Sequence, residues 1–231
     1  MTISKSAAIH ATAIVEQGAT IGENVNIGPF CHVGPGANIG AGSRLMSHVV
    51  IDGVTVIGEG ATIFHHAVLG AAPQNGKHKG GPTRLVIGKN CQIREGVTMH
   101  TGSDTSIGVT TVGDNCTFLA YSHVAHDCTL GNNITFANNV MIGGHVEIGD
   151  YVIIGGGAAV HQFCRIGHHA FVGGMAALAA DLIPFGSAIG NHAWLGGLNI
   201  IGMKRSGMMR SDIHAIRHAV KMLFDRNATV R

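Results

Sequence analysis

An aliphatic residue recurs at every sixth position along most of this chain, and no other feature constrains the fold as strongly. The first run is Ile9, Val15, Ile21, Ile27, Val33, Ile39, Leu45, Ile51, Ile57, Ile63 and Leu69. It resumes in phase at Ile87, Ile93 and Met99, then slips by one residue and continues through Val112, Phe118, Val124, Leu130, Phe136, Ile142, Ile148, Ile154, Val160, Ile166, Val172 and Leu178. Six is a multiple of the two-residue period of a strand and does not match the 3.6-residue period of a helix. The chain is therefore predicted to form twenty-six short strands, each with a fixed inward residue.

Three such units make one coil of eighteen residues, so the repeat predicts an all-β solenoid, a parallel β-helix of triangular cross-section. Neighbouring coils should rise by the strand spacing, which gives a prism about 40 Å long. We expect the solenoid to span 1–183, with loops near 70–85 and 101–110, and a short α-helical C-terminal region to span 184–231. Glycine usually follows the repeat aliphatic, where we expect it to supply the backbone freedom of a tight corner.

The composition excludes several other classes of protein. The chain has 35 Gly but only 5 Pro and is 45% hydrophobic, which fits neither collagen nor a disordered segment. A net charge of +2 gives no basis for nucleic-acid binding. No stretch approaches the ~20 apolar residues of a membrane span and the N-terminus lacks a signal-peptide core, so a cytoplasmic protein is expected.

The five cysteines share one place in the repeat. Each lies two positions before a repeat aliphatic: Cys31, Cys91, Cys116, Cys128 and Cys164. This pattern predicts small, buried, reduced core residues and not a metal site or a disulfide framework.

A basic helix is predicted near the C-terminus. Ser211 is expected to cap it, and its apolar residues at helical spacing are Ile213, Ile216, Val220 and Leu223. Residues 203–231 carry seven Lys or Arg against two Asp, a local charge of +5, whereas the rest of the chain sums to −3. This face is either simply solvated or a docking surface for an acidic partner.

The eighteen-residue coil also brings distant histidines together. His145 follows His126 by 19 residues and His161 follows it by 35, so we expect the three in one column on successive coils, with His123 close by. Such a cluster is compatible with a zinc site, with a general base near neutral pH, or with a structural ladder. The period alone does not decide among these three.

Local strings around these histidines resemble the UDP-N-acetylglucosamine acyltransferases of lipid A biosynthesis, a family of hexapeptide-repeat acyltransferases. The strings are Ser122-His123-Val124-Ala125-His126-Asp127-Cys128, Gly143-Gly144-His145-Val146, Val160-His161-Gln162-Phe163-Cys164, Asn26-Ile27-Gly28-Pro29-Phe30-Cys31, Ser47-His48-Val49-Val50, Gly81-Pro82-Thr83-Arg84 and Gly190-Asn191-His192-Ala193. The resemblance runs from residue 6 to about residue 221. It implies the left-handed form of the parallel β-helix and a homotrimer with active sites between subunits.

The resemblance also implies a reaction. Members transfer an R-3-hydroxyacyl group from the phosphopantetheine thioester of acyl carrier protein to the 3-hydroxyl of UDP-N-acetylglucosamine, without a metal ion or other cofactor. By position, His126 matches the general base and the backbone N–H of Gly144 matches the oxyanion donor. Asp127 is next to the base, but neighbours in a strand point to opposite faces, so we do not expect it to pair with His126. The basic C-terminal helix suits an acidic carrier protein.

Other positions match the substrate contacts of the family. The expected contacts to sugar and nucleotide are Gln74, Asn75, Lys77, His123, His145, His161, Gln162, Asn199 and Arg205. Gly174 matches the position that sets acyl-chain length, where a missing side chain favours a longer chain. His192 matches a residue near the end of the acyl groove.

Three departures from the family motifs affect substrate recognition and carrier docking. Asn75 stands where the family has Asp, Ile201 and Ser206 replace a Glu and a second Arg, and the chain stops at Arg231, inside what is normally a longer helical domain. The changes at Asn75 and Ile201 motivate an alternative with the same chemistry on a different sugar nucleotide, such as a 3-amino sugar. Alternatives of other classes are a zinc-dependent γ-type carbonic anhydrase and a non-catalytic scaffold.

Overall fold

The computed structural model describes residues 2–191 and 194–224, and most of them form short parallel strands stacked in coils. In chain order the solenoid strands are β1 (Thr2–Ile3), β2 (Ala8–Ile9), β3 (Ile14–Val15), β4 (Thr20–Ile21), β5 (Asn26–Ile27), β6 (His32–Val33), β7 (Asn38–Ile39), β8 (Arg44–Leu45), β9 (Val50–Ile51), β10 (Val54–Ile57), β11 (Thr62–Ile63), β12 (Val68–Ala71), β13 (Arg84–Ile87), β14 (Gln92–Ile93), β15 (Thr98–His100), β16 (Val109–Val112), β17 (Thr117–Phe118), β18 (His123–Val124), β19 (Thr129–Leu130), β20 (Thr135–Phe136), β21 (Met141–Ile142), β22 (Glu147–Ile148), β23 (Ile153–Ile154), β24 (Ala159–Val160), β25 (Arg165–Ile166), β26 (Phe171–Val172) and β27 (Ala177–Leu178).

Every third strand belongs to the same parallel sheet, as an eighteen-residue coil requires. The first sheet runs from β1 to β25, the second from β2 to β26, and the third from β3 to β27. In undisturbed coils the paired residues are 18 apart, as in Ile21 with Ile39. The predicted parallel β-helix is confirmed, and it begins one strand earlier than the repeat that we recognised, because Ile3 pairs in phase with Ile21.

Two insertions interrupt the coils where loops were predicted. Pairing of Leu69 with Met99 across 30 residues places a twelve-residue insertion between β12 and β13. Pairing of Met99 with Val124 across 25 residues places a seven-residue insertion between β15 and β16. Seven is one more than the hexad, and this accounts for the one-residue slip in the sequence period.

The glycines after the repeat aliphatics have a different role from the one we predicted. Except for Gly70, none of them has a positive φ; that conformation falls two residues further on, at residues such as Asn24 and Asn90. A Cβ built on Gly58 would lie 2.5 Å from the carbonyl carbon of Gly88 on the next coil. Most of these positions exclude a side chain because successive coils approach closely, whereas Gly34 has a looser nearest contact of 3.2 Å to the carbonyl oxygen of Ile51. Asn tolerates the left-handed corner.

The inward residues form one continuous apolar core along the prism. The repeat aliphatics from Ile21 to Leu178 are buried, and the rings of Phe118 and Phe136 meet edge to face at 5.0 Å. All five cysteines are buried free thiols, as predicted. Burial raises the pKa of the Cys128 thiol to about 12, so this core thiol is unreactive.

The C-terminal region packs on the last coils. After Pro184, β28 (Gly186–Ile189) extends the second sheet, β29 (Trp194–Leu198) pairs with it antiparallel, and α1 (Ile200–Arg205) and α2 (Arg210–Leu223) follow. Phe185, Met203 and Ile213 form a small separate core. The predicted Ser211 cap is wrong, because α2 begins at Arg210 after Met209, which caps without a side-chain hydrogen bond. Among the described residues, no helix combines the length and hydropathy that crossing a membrane requires.

Candidate functional site

His126 and Asp127 lie side by side at the edge where the third sheet turns into the first. The Nδ1 atom of His126 is 2.8 Å from Oδ2 of Asp127, and Asp127 is 1% exposed. Our expectation that the two side chains would point apart is wrong. Asp127 has a φ of 58° and lies in a corner, so strand alternation does not apply to it. When Nδ1–H donates to the carboxylate, Nε2 is left as the proton acceptor.

Gly144, on the next coil, leaves the space that the imidazole of His126 occupies. A Cβ at residue 144 would lie 2.7 Å from Cε1 and 2.8 Å from Nε2 of His126. The amide N–H of Gly144 donates to no acceptor in the described part of the chain. An unpaired N–H beside a proton acceptor is an arrangement that can stabilise a developing oxyanion.

The predicted three-histidine column contains only two histidines. The rings of His126 and His145 meet edge to face at 5.1 Å, and the ring stacked on the other side of His145, at 4.4 Å, is that of Phe163. His161 is exposed, and its Nδ1 contacts the carbonyl oxygen of adjacent Gln162 at 3.0 Å. The eighteen-residue register places residue 163, and not residue 161, on His145, so the prediction that His161 belongs to the column was wrong.

Asp127 also fixes the second inserted loop. Its Oδ2 accepts the backbone N–H of Ser103 at 3.0 Å and its Oδ1 accepts that of Gly108 at 2.9 Å. Its own N–H donates to Thr110 Oγ1 at 2.9 Å. A single buried carboxylate therefore orients His126 and anchors both ends of this loop.

The two loops and the histidine edge enclose a cavity of about 570 Å³, which we call the histidine groove. It is lined by Gln74, Asn75, Gly76, Lys77, Thr105, Ser106, His126, His145, Gln162 and Phe163. The sequence prediction thus placed Gln74, Asn75, Lys77, His145 and Gln162 together with the candidate base, and the structure brings them together. His145 Nδ1 lies 3.3 Å from Ser106 Oγ, and burial lowers its pKa.

A second pair of histidines lies next to the groove on the third sheet. His123 Nδ1 is 2.7 Å from Thr98 Oγ1, and its ring meets that of His100 edge to face at 4.8 Å. His100 is 6% exposed, and its Nδ1 has no hydrogen-bond partner in the described part of the chain. Burial, together with the charges of His123 and His126, lowers the pKa of His100 to about 4. Nothing in the repeat pattern singled out His100.

His100 should make the stability of the fold depend on pH. Its pKa falls from 6.5 in the unfolded chain to about 4 in the folded one, so the unfolded state binds more protons between these values. Stability is then complete above pH 6.5 and is lost as the pH falls toward 4. Between pH 7 and pH 5 the wild type should lose about 2 kcal/mol more unfolding free energy than His100→Gln.

Urea unfolding at the two pH values measures this difference. The exposed His10 contacts only nearby Thr12 through its side chain, so His10→Gln is a matched control that should keep the pH dependence of the wild type. Equal pH dependence of the wild type and His100→Gln would contradict the prediction.

A second cavity lies between the outer face of the second sheet and α1, and we call it the helix pocket. Its volume is about 730 Å³ and its lining is Asn133, Thr135, Tyr151, Ile153, His169, Phe171, Asn199, Ile201, Gly202, Arg205 and Ser206. The predicted residues Asn199 and Arg205 therefore lie in this pocket and not in the histidine groove. Asn199 also caps α1, since its Oδ1 accepts the N–H of Gly202 at 2.8 Å while its Nδ2 donates to the carbonyl of His169 at 2.9 Å.

Gly174 lies at a third position, the edge between the second and third sheets, next to the exposed side chain of Met175. One face of the prism separates it from His126. His192, the other residue predicted for the acyl groove, is outside the described residues.

A metal ion is geometrically compatible with one group near the base. Ligand atoms of His126, Asp127 and His145 all lie within 4.8 Å of one another. Both carboxylate oxygens of Asp127 already accept backbone N–H groups, and Oδ2 also contacts His126. The group is therefore arranged as a hydrogen-bonded acid–base pair, and a metal would have to compete with those bonds.

Comparison with protein families identifies two matching models. The model of UDP N-acetylglucosamine O-acyltransferase domain 2 matches residues 181–231, and the bacterial transferase hexapeptide model matches residues 18–53 and 110–144. The chain is 68% identical to the acyl-[acyl-carrier-protein]–UDP-N-acetylglucosamine O-acyltransferase of Bartonella henselae over 95% of this chain and 80% of the relative. It is 65% identical to the enzyme of the same name from Brucella ovis, over 98% and 82%.

Solved structures agree with these sequence matches. LpxA from Acinetobacter baumannii is 42% identical and superimposes with a TM-score of 0.94 over 96% of this chain and 86% of its own. The UDP-N-acetylglucosamine acyltransferase from Arabidopsis is 34% identical, with a TM-score of 0.83 over 96% and 85%. The left-handed parallel β-helix expected from the hexapeptide acyltransferases is thereby confirmed.

Proposed function

This chain belongs to the acyl-[acyl-carrier-protein]–UDP-N-acetylglucosamine O-acyltransferase family, and we propose that it transfers a 3-hydroxyacyl group from acyl carrier protein to the 3-hydroxyl of UDP-N-acetylglucosamine. This reaction is the first step of lipid A biosynthesis, and His126 is the proposed general base. The observation that carries the proposed mechanism is the 2.8 Å contact between His126 Nδ1 and the buried carboxylate of Asp127. It leaves Nε2 of His126 free to accept a proton in the histidine groove.

The proposed step conserves atoms and charge without an added reagent. Nε2 of His126 takes the proton of the sugar hydroxyl as its oxygen attacks the thioester carbonyl carbon. The N–H of Gly144 donates to the oxyanion of the tetrahedral intermediate. As the C–S bond breaks, the imidazolium returns its proton to the departing phosphopantetheine thiolate. Asp127 stabilises the imidazolium that forms between these events.

The proposed binding residues surround this centre. Gln74, Asn75, Lys77, His145 and Gln162 line the histidine groove and would contact the sugar and diphosphate, with His123 and His161 nearby. Asn199 and Arg205 line the helix pocket, where the guanidinium would attract a nucleotide phosphate. Ile201 and Ser206 lie in the same pocket, so it carries less charge than the family motif implies.

We propose that the active enzyme is a homotrimer. His126 and Gly174 lie at different edges of the prism and Arg205 lies on α1 beside the second sheet, so a site that uses all three requires more than one subunit. The outer face of the third sheet and its edges also expose apolar side chains: Ile14, Phe30, Tyr121, Met141 and Met175. Light scattering should give three times the 23.9 kDa chain mass, and a monomer mass would contradict this assembly.

The proposed acyl donor is the phosphopantetheine thioester of acyl carrier protein, without a metal cofactor. Lys204, Arg210 and Arg217 line a cleft between α1 and α2 and would attract an acidic carrier. Elemental analysis tests the metal-free proposal. Stoichiometric zinc that is lost in His126→Ala would favour the zinc-dependent carbonic anhydrase instead.

The substrate assay tests the function itself. Purified protein is incubated with 3-hydroxyacyl carrier proteins of several chain lengths and with a panel of UDP-sugars, and the acylated product is quantified. Acylation of UDP-N-acetylglucosamine supports the proposal, and failure to acylate any acceptor would contradict it. Because Asn75 replaces a carboxylate with a neutral amide, the panel includes a 3-amino sugar nucleotide, whose preferred acylation to an amide would favour that alternative acceptor.

A further inference from the structure

Asp104 joins the two inserted loops through hydrogen bonds that the proposed chemistry does not use. Its carboxylate accepts the backbone N–H of Lys79 at 3.1 and 3.0 Å and that of Gly81 at 2.8 Å. Its Oδ1 also lies 3.0 Å from Nδ1 of His78. Asp104 belongs to the second loop and these three partners belong to the first, so we call this group the loop clasp.

The loop clasp is closely packed. The side chains of Asp104 and His78 are 15% and 13% exposed. A Cβ at Gly81 would lie 2.7 Å from Cβ and 2.9 Å from Oδ2 of Asp104, so a glycine is required there. The N–H of Gly81 is the main cause of a lowered pKa of the Asp104 carboxyl, so the ionised form is the one that closes the clasp.

The second loop is itself anchored to the candidate base. Asp127 accepts the N–H groups of Ser103 and Gly108, which flank Asp104 in the sequence. Asn75 adds another link between the loops, because its Nδ2 donates to Ser103 Oγ at 3.2 Å. The clasp therefore connects the first loop, through the second, to the same carboxylate that orients His126.

Lys77 lies on the first loop between these two attachments. Its backbone N–H donates to Asn75 Oδ1 at 3.0 Å, and the clasp begins one residue later at His78. The Lys77 side chain is exposed and lines the histidine groove. A flexible lysine on an unanchored loop would lose conformational entropy on binding an anion, and anchoring the loop reduces that cost.

From this geometry we propose that Asp104 is a positioning residue for the acceptor substrate: the loop clasp holds Lys77 at the rim of the histidine groove and so strengthens binding of the anionic sugar nucleotide. This inference rests on the proposed function. It assigns Asp104 no contact with the reacting atoms, so its effect should appear in KM for the nucleotide and not in kcat.

Steady-state kinetics of Asp104→Asn test the proposal. The amide keeps the size of the side chain but places an NH2 group against backbone donors. We expect KM for the UDP-sugar to rise about fivefold, with kcat within about twofold of the wild type. Gly81→Ala disrupts the clasp from the other loop and should raise KM by a similar factor.

A double-mutant cycle separates positioning from general loosening of the fold. If Asp104 acts through Lys77, then Asp104→Asn should add little to KM in a Lys77→Met background. Asp114→Asn is the matched control, because Asp114 accepts the N–H of Lys89 at 2.7 Å across the same 25-residue spacing but at another edge of the prism. It should leave KM unchanged.

The outcomes distinguish this proposal from the function on which it rests. The positioning role would be overturned if the wild type is active but neither Asp104→Asn nor Gly81→Ala changes KM for the UDP-sugar. It would also be overturned if the increases in KM caused by Asp104→Asn and Lys77→Met multiply in the double variant. A wild type that acylates no acceptor would overturn the proposed function instead. Thermal unfolding identifies a variant that has lost its fold, and Gly81→Ala then supplies the deciding measurement.

Discussion

Replacing His126 with alanine is expected to lower kcat about 10³-fold, with KM for both substrates changed by less than about threefold. The imidazole is the only group in the histidine groove that combines a buried carboxylate partner at 2.8 Å with a free ring nitrogen. Without it the sugar hydroxyl must lose its proton to water. The measurement is steady-state transfer from 3-hydroxyacyl carrier protein to the UDP-sugar.

Two further measurements make this result specific. Added imidazole should partly restore the rate of His126→Ala, because a small base can enter the space that the side chain leaves. His10→Ala, at an exposed position in an early coil, should keep the wild-type rate. A His126→Ala enzyme with full activity would exclude the general-base role.

The hexad repeat predicted the scaffold because its physical cause is periodic. Each inward aliphatic is buried by the coils above and below. The six-residue spacing of Ile21, Ile39 and the other repeat residues therefore specifies the β-helix. The one-residue slip before Val112 was visible in the sequence, and the structure traces it to a seven-residue insertion. The burial of the cysteines followed from the same register.

The parts of the site that the sequence did not predict lie where the repeat is interrupted or turns. The contact between Asp127 and His126 was not predicted because Asp127 lies in a corner, where strand alternation does not apply. Phe163 and not His161 stacks on His145, since the eighteen-residue register places residue 163 there. The loop clasp around Asp104 joins two segments that have no period, so only the folded chain brings them together.

The burial of His100 was unpredictable for a related reason. It is the last residue of β15, directly before the second inserted loop, and pairs with Ala71 at an irregularity in the register. An outward strand position would normally leave an imidazole in solvent, yet the side chain is 6% exposed. Irregular coils thus create the buried polar groups around the candidate base, while regular coils supply the rigid support.

Gly144→Ala should lower kcat about 10²-fold without removing any hydrogen-bonding group. The new methyl carbon would lie 2.7–3.1 Å from the ring atoms of His126, so the imidazole must move. A displacement of about 1 Å at a reacting group can cost 10² in rate. Alanine keeps the backbone N–H that we assign to the oxyanion, so the loss would report the position of the base.

Gly34→Ala provides the control for this substitution. The Cβ added at residue 34 would approach the carbonyl oxygen of Ile51 at 3.2 Å, a contact that small shifts relieve. Gly34 also lies on an early coil, far along the chain from the histidine groove. We expect this variant to keep kcat within about twofold. If Gly144→Ala also keeps its kcat, the groove tolerates a displaced imidazole and the close contact between Gly144 and His126 has no catalytic role. If kcat falls in Gly144→Ala but not in Gly34→Ala, and the melting temperature of Gly144→Ala is unchanged, then transfer requires the correct position of the His126 imidazole as well as its presence.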